Sequence, residues 1–205
     1  MLYVPKAFAV DDVPALHAFI AAHSFATLIS PDAQDPAVTH VPLLLEAGGR
    51  LGTLTGHLAR GNPHCERLEG AQTLAIFHGP HAYVSPSLYA THPSVPTWNF
   101  AAVHARGVAR LVQDVPALEA IVRRMVGHYE GGRPDPWRMQ LPDDYREQML
   151  RGIVGFHIEI TSLTGKFKLS QNRPHADRAR VREAFASGTA EEQALARLMP
   201  DATDL

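Results

Sequence analysis

The chain has 205 residues, 45% hydrophobic and 20% charged, with a formal net charge of −2 when histidines are neutral. That composition suits a folded globular core and excludes a disordered chain, and its balance supplies no overall basic field for nucleic acid. The lone cysteine, Cys65, excludes an internal disulfide framework and a cysteine-rich zinc site.

The opening MLYVPKAFAV lacks the basic-then-apolar order of a secretion signal. No apolar run reaches the length of about 18 residues that a membrane span needs. A reducing, cytoplasmic setting and no membrane partner are therefore expected.

Asp11 and Asp12 before Val13-Pro14 predict a helix start, since acidic caps suit the positive end and proline is tolerated in the first turn. Val13, Leu16, Phe19 and Ile20 share one helical face and carry the helix to about His23. SFATLIS reads as a strand, and THVPLLLE as a second. Its Pro42 points to a sheet edge or a bulge, because proline cannot donate to the ladder. Gly48-Gly49 predicts a hairpin into RLGTLTGHL. TLAIFHG, residues 73–79, reads as a buried strand, with a Gly-Pro turn in the following HGPH. After a proline-rich stretch, AAVHARGVARLVQD carries the signal of a strand pair.

Residues 114–130 form the clearest helix, capped by Asp114, striped by Leu118, Ile121, Val122, Met125 and Tyr129, and stopped by Gly131-Gly132. PDDYREQML restarts a helix near Pro142. IVGFHIEIT alternates strictly, with Phe156, Ile158 and Ile160 on one face and His157, Glu159 and Thr161 on the other. KFKLSQN continues a strand of the same kind. Two helices, about 176–186 and 190–199, follow around Ser187-Gly188. Six or more short strands without a helix between each pair predict a mainly β fold with added helices, an antiparallel barrel or sandwich.

GxGxxG, P-loop, GxSxG and HExxH motifs are all missing, so dinucleotide, nucleoside-triphosphate, hydrolase and zincin readings have no motif support. His78 and His81, with His92 downstream, could be read as a metal pair, but no carboxylate lies close in sequence and no metal is assigned. GHLARGNPH, residues 56–64, places polar chemistry at a strand end. Arg60 is suited to phosphate oxygens, with His57 and Asn62 as further donors; a solvated turn with an incidental arginine is the other reading. PTWNF sets Trp98 and Asn99 on opposite sides of a strand. KLSQNR offers Lys168, Ser170, Gln171, Asn172 and Arg173 as donors within six residues. A heterocycle with a phosphate tail would use such a set. A core tryptophan and an exposed strand end are the alternative.

YVPKAF, GHLARGNPH, AYVSPSLY, VPTWNF and KLSQNR occur in the order found in the PaiB-type FMN-binding negative transcriptional regulators, and from Tyr3 to about Ala184 the chain resembles that family. The resemblance implies one FMN-binding split β-barrel domain over residues 1–205, of the pyridoxamine-phosphate-oxidase type. Peripheral helices and a C-terminal helical appendage, 175–205, would complete it, and two copies would form a homodimer with flavin between subunits. Thr55, His57, Arg60 and Asn62 become the phosphate and ribityl candidates. His40, Val41 and Pro42 would lie nearest the isoalloxazine. Trp98 and Asn99 would cover the ring or reach it from the other subunit, and Lys168, Ser170, Gln171 and Asn172 would close the site. The departures are Cys65, where a bulky aromatic is expected, and the region of Leu88, where tyrosine or tryptophan is usual.

The function implied is negative regulation of transcription with FMN as a sensor ligand. DNA is a candidate partner through Arg173, Arg178, Arg180 and Arg182, which read otherwise as a solvated helix face. One alternative is a flavin-dependent oxidoreductase acting on a small molecule with NAD(P)H or oxygen. His78, His81 and Tyr83 lie in its barrel, and no catalytic role is assigned to them. A second alternative is a heme-binding split barrel, for which the tail supplies only His175.

Overall fold

The computed structural model describes residues 2–32 and 34–199. The chain forms, in order, β1 (Ala9–Val10), α1 (Val13–Ala22), β2 (Phe25–Ser30), β3 (Ala37–Pro42), β4 (Leu44–Glu46), β5 (Thr53–Ala59), β6 (Gln72–Val84) and β7 (Thr97–Val112). Then come α2 (Val115–Glu130), α3 (Asp143–Arg151), β8 (Ile153–Lys168), α4 (His175–Ala186) and α5 (Ala190–Leu198). The sheet order is β3-β2-β6-β7-β8-β5-β4, with β1 paired to β8. Every pairing with a defined register is antiparallel. Among the described residues no helix is long and apolar enough to cross a membrane. The end of the expected C-terminal appendage, 200–205, lies outside the described residues.

Three helices begin where a side chain satisfies a free amide, and α3 and α4 begin after Pro142 and Pro174. Asp12 Oδ2 accepts from Ala15 N at 2.9 Å, and Asp114 Oδ2 from Ala117 N at 2.9 Å. Thr189 and Glu192 form a reciprocal capping box on α5. In α2 the buried stripe is Leu118, Ile121 and Met125. Tyr129, at the edge of the predicted stripe, is exposed instead and shares a 2.9 Å hydrogen bond with Ser24 Oγ.

Four strand expectations need correction. KFKLSQN stays in strand only to Lys168, where β8 ends, and residues 169–172 turn. THVPLLLE is not one strand. After Pro42 the buried Leu43 donates its amide to Ser24 O at 2.8 Å, and the chain changes partner there. Pro42 pairs with Phe25 of β2, whereas Leu44 pairs with Thr55 of β5. HGPH is not a turn either, because β6 runs through it. Burial alternates over Thr73, Ala75 and Phe77, then resumes on Pro80, Ala82 and Val84. The one-residue phase change at Gly79-Pro80 leaves His78 and His81 both exposed. Finally, residues 101–112 of AAVHARGVARLVQD belong to a single 16-residue strand. Its glycine marks a close approach, not a turn: a Cβ on Gly107 would lie 2.1 Å from Glu159 O.

The chain divides into two compact units. The first is drawn from Met1–Phe19, His78–His104 and Thr164–Leu205, and the second from Ile20–Phe77 and Ala105–Leu163. In the first, Val84, Tyr89 and Leu169 pack with Val181 and Phe185 of α4 and Leu195 of α5. In the second, the buried core includes Leu28, Leu43, Leu54, Phe77, Leu118, Ile121, Phe156 and Ile158. Gly155 of β8 admits α2 here, since a Cβ would meet Ile121 Cδ1 and Leu118 Cδ2 at 2.9 Å each.

Candidate functional site

The predicted site residues fall into both units. His40, Val41, Pro42, Thr55, His57, Arg60 and Asn62 belong to the second. Trp98, Asn99, Lys168, Ser170, Gln171 and Asn172 belong to the first.

In the second unit His40, Thr55, Arg60 and Asn62 are tied to different partners. Val41 is core, and His40 is exposed with Nδ1 3.2 Å from Thr27 Oγ1. Thr55 is buried, and its hydroxyl donates to Glu46 Oε1 at 2.9 Å. Its lone pair then receives His157 Nδ1 at 2.8 Å, which puts the imidazole proton on Nδ1. Arg124 closes this cluster on Glu46. Arg60, read from the sequence as the phosphate arginine, clamps the α3–β8 junction through Nε and Nη2. Its Nε donates to Arg151 O at 2.7 Å and its Nη2 to Ile153 O at 2.9 Å.

Asn62 is also engaged locally. Its Oδ1 accepts from His64 N at 2.9 Å, and its Nδ2 donates to Thr39 Oγ1 at 3.2 Å. His64 extends the chain, with Nδ1 2.9 Å from Thr39 Oγ1 and Nε2 2.8 Å from Ser30 Oγ. Sequence reasoning missed Thr39, Ser30 and His64 as a network, because they become neighbours only through the pairing of β2 with β3. Cys65, beside them, is buried, and that burial pushes its thiol up.

Burial holds the pKa of His64 below the ordinary 6.5, and Arg67 adds to the effect. The unfolded chain therefore takes up a proton that the folded chain resists as pH falls below about 6.5. Stability is expected to be full above that value and to decline below it, until the folded imidazole also protonates. Urea midpoints measured at pH 7.5 and 5.5 check this. The drop should shrink in His64→Gln, while an equal drop in both proteins would remove His64 as its source.

In the first unit the predicted residues do meet. Trp98 is 53% exposed and Asn99 fully buried, on opposite sides of β7 as expected. Asn99 Nδ2 donates to Ser170 Oγ at 3.0 Å. Ser170 sits at φ 65°, a left-handed conformation that this side-chain bond helps to hold. Gln171 closes the same turn, its Oε1 accepting from Leu169 N at 2.7 Å and its Nε2 donating to Phe167 O at 2.6 Å. Asn172 is exposed.

Lys168 Nζ donates to Thr97 Oγ1, and to Trp98 O at 2.7 Å. Its pKa is lowered by burial, then by Lys166 and Arg173. Arg173 is held by stacking on Tyr89, with its guanidinium carbon 4.1 Å from the ring centre. The same unit holds an open concavity of about 420 Å³, lined by Leu2, His78, His81, Trp98, Phe100 and His104 among others, and Lys166 Nζ lies 5.4 Å from the Phe100 ring centre. His81 and Tyr83 stand 6.3 and 6.1 Å from the Trp98 ring centre. Phe100 and His104 were not selected from sequence; their spacing of two and six from Trp98 along one strand was the available signal.

Of the four arginines considered for DNA, Arg180 alone is exposed. Arg173 is stacked, and Arg178 buries its Nε.

Comparison with known proteins bears on these arrangements. Residues 2–162 match the family described as "Putative FMN-binding domain". The chain is 36% identical over 185 residues to protease synthase and sporulation protein PAI 2 of Bacillus subtilis, covering 89% of this chain and 88% of that protein. Among solved structures it is similar to the flavocytochrome Anf3 from Azotobacter vinelandii, with a TM-score of 0.63 at 17% identity over 80% of this chain and 72% of that one. It is also similar to the FAD and heme binding protein from Mycobacterium smegmatis, with a TM-score of 0.60 at 13% identity over 78% and 73% of the two chains. These likenesses show the fold, a mainly antiparallel split barrel with helices, as the motif order implied.

Proposed function

Because the chain belongs to the PaiB-type family of FMN-binding domains, we propose that it holds FMN against the aromatic and histidine face of its first unit and acts as a negative regulator of transcription. The observation that carries this reading is the state of Lys168. Its half-buried ammonium, bonded to Thr97 Oγ1 and Trp98 O, stands near Lys166 and Arg173, and burial first and these cations second hold its pKa below the ordinary lysine value. Such a corner is stabilised by an anion, and a phosphate tail is one. In the same unit, Trp98 and Phe100 offer flat apolar surface to a ring, with Lys166 over Phe100, and His78, His81 and His104 supply polar edges. Asn99, Ser170 and Gln171 shape the turn that carries Lys168 and hold its geometry. Bound FMN would supply a redox-active ring and a phosphate dianion.

The same reading takes the protein to be a homodimer. Trp98 and Tyr83 are 53% and 48% exposed, and adjacent exposed aromatics on a sheet face favour a covering partner. The regulatory assignment rests on the family resemblance and on the name of the B. subtilis relative, which ties that protein to protease synthesis and sporulation. The oxidoreductase alternative has the three histidines of the same concavity in its favour, as groups able to carry protons.

Titrating FMN into cofactor-free protein tests the reading. Saturable quenching of flavin fluorescence, with one FMN per chain, is the expected result. Flavin that stays free at micromolar protein overturns it. Anaerobic addition of NADH or NADPH then separates the two functions: bleaching of the flavin at a catalytic rate favours the enzyme, and a stable spectrum favours the sensor.

A further inference from the structure

The second unit contains a smaller and drier cavity that the FMN reading does not use. Its volume is about 220 Å³. Its walls come from Val122 and Val126 of α2, from Trp137, Met139 and Leu141 in the connection, and from Met149 and Leu150 of α3. Ile153 and His57 line it from the strands, and Arg146 also borders it. The lining is nearly all aliphatic, thioether or aromatic. The charge of Arg146 is paired, with Nη2 2.8 Å from Asp143 Oδ1 and Nε 3.4 Å from Glu119 Oε2. Two buried nitrogens of the lining make no hydrogen bond, Arg146 Nε and His57 Nδ1, and of these two side chains the imidazole is the one without a fixed charge. With Nδ1 sealed, Nε2 is the ring nitrogen left to meet an occupant.

We propose that this cavity is a binding site for a small neutral aromatic alcohol of the phenol class, with its ring between Trp137 and the two methionines and its hydroxyl on His57 Nε2. Size and polarity both select that class. Drug-sized ligands occupy pockets of about 300 Å³ and more, so this one suits a single ring with a short substituent. Methionine sulfur and an indole plane favour an aromatic ring over an aliphatic chain. A carboxylate or phosphate would lose its hydration against apolar walls, and Arg146 is already paired. A hydroxyl both donates and accepts, so it satisfies Nε2 in either imidazole tautomer. Burial also keeps His57 neutral by lowering its pKa. A regulator with such a site would respond to a small aromatic metabolite through α2 and α3.

The test uses the full-length protein and two probes of nearly equal shape, p-cresol and toluene. The indole N–H signals of the two tryptophans, Trp98 and Trp137, are followed by NMR and assigned with Trp137→Phe. Addition of p-cresol should move the Trp137 signal, and toluene should bind roughly tenfold more weakly for want of one hydrogen bond. His57→Phe should bring the two probes to equal affinity. Leu150→Trp should abolish binding by filling the cavity. Val126→Trp, at a half-buried position, should do the same by obstructing the site if the Leu150 variant fails to fold. Equal binding of both probes to the unmodified protein overturns the proposal. So does a response confined to Trp98, or full binding in folded Val126→Trp. Flavin fluorescence measured on the same samples reports FMN independently, so failure of one site is not confused with failure of the other.

Discussion

Gly107→Ala is expected to be among the most damaging single-methyl changes in this protein. The added carbon would sit 2.1 Å from Glu159 O, 2.8 Å from Glu159 C and 2.7 Å from Ile158 Cγ2. Two of those atoms are β8 backbone, so no side-chain rotation relieves the overlap. The strand itself must move, and β8 is also paired with β5 through seven residue pairs, Thr53↔Glu159 to Ala59↔Ile153. Overpacking that forces backbone shifts costs about 1–3 kcal/mol and sometimes more, and this geometry puts the expected loss at the upper end, about 3 kcal/mol. Urea unfolding measures it. Gly127→Ala is the matched control, because a Cβ there meets nothing within 4 Å inside helix α2. That change should stabilise by about 0.5–1 kcal/mol through helix propensity and reduced chain entropy. An unchanged midpoint for Gly107→Ala would show that β7 and β8 do not approach as described.

Lys168→Gln is expected to weaken FMN binding by roughly 10- to 100-fold, the loss of one charge-assisted hydrogen bond to an anion. Glutamine keeps an N–H donor on a chain one bond shorter, so a purely structural role through Thr97 and Trp98 O would be partly rescued. Arg60→Gln provides the contrast. Its Nε and Nη2 are committed to Arg151 O and Ile153 O, so its first effect should be on stability. Fluorescence titration and thermal melts of the two variants, run together, separate charge from scaffolding. A larger loss of FMN affinity in Arg60→Gln than in Lys168→Gln would return the phosphate to the turn after β5 and overturn the assignment to Lys168.

The helices were legible because each signal is local. Asp12, Asp114 and Thr189 cap the helices they precede, and periodic apolar residues follow. The strand of residues 153–161 was legible from its alternation. What was not legible depends on partners distant in sequence. Gly107 and the Gly79-Pro80 pair look like turn residues, and only the neighbouring strand at Glu159 or a continuing ladder shows otherwise. Pro42 was read as an edge or bulge signal and stands at the end of edge strand β3, but the change of partner at Leu43 required β2 and β5 to be in place. Among the candidate site residues, Trp98, Asn99 and Lys168 were chosen through residue type and do meet in space. Arg60 and Asn62 carried the same attractive chemistry, and backbone carbonyls and a threonine hydroxyl claim it.

Asp177 gives the C-terminal segment a mechanical meaning. Its carboxylate is fully buried and accepts from Ala90 N at 2.7 Å and Thr91 N at 3.1 Å, which pins the start of α4 to the loop after Tyr89. The family match ends at residue 162, inside β8, whereas β1 finds its partners at Gly165 and Lys166. A chain trimmed to the matched span would lose the mate of its first strand, the lid over Tyr89 and the lysine at the cationic corner. The stretch that keeps these contacts therefore extends through α5, well past the end of the matched domain at residue 162.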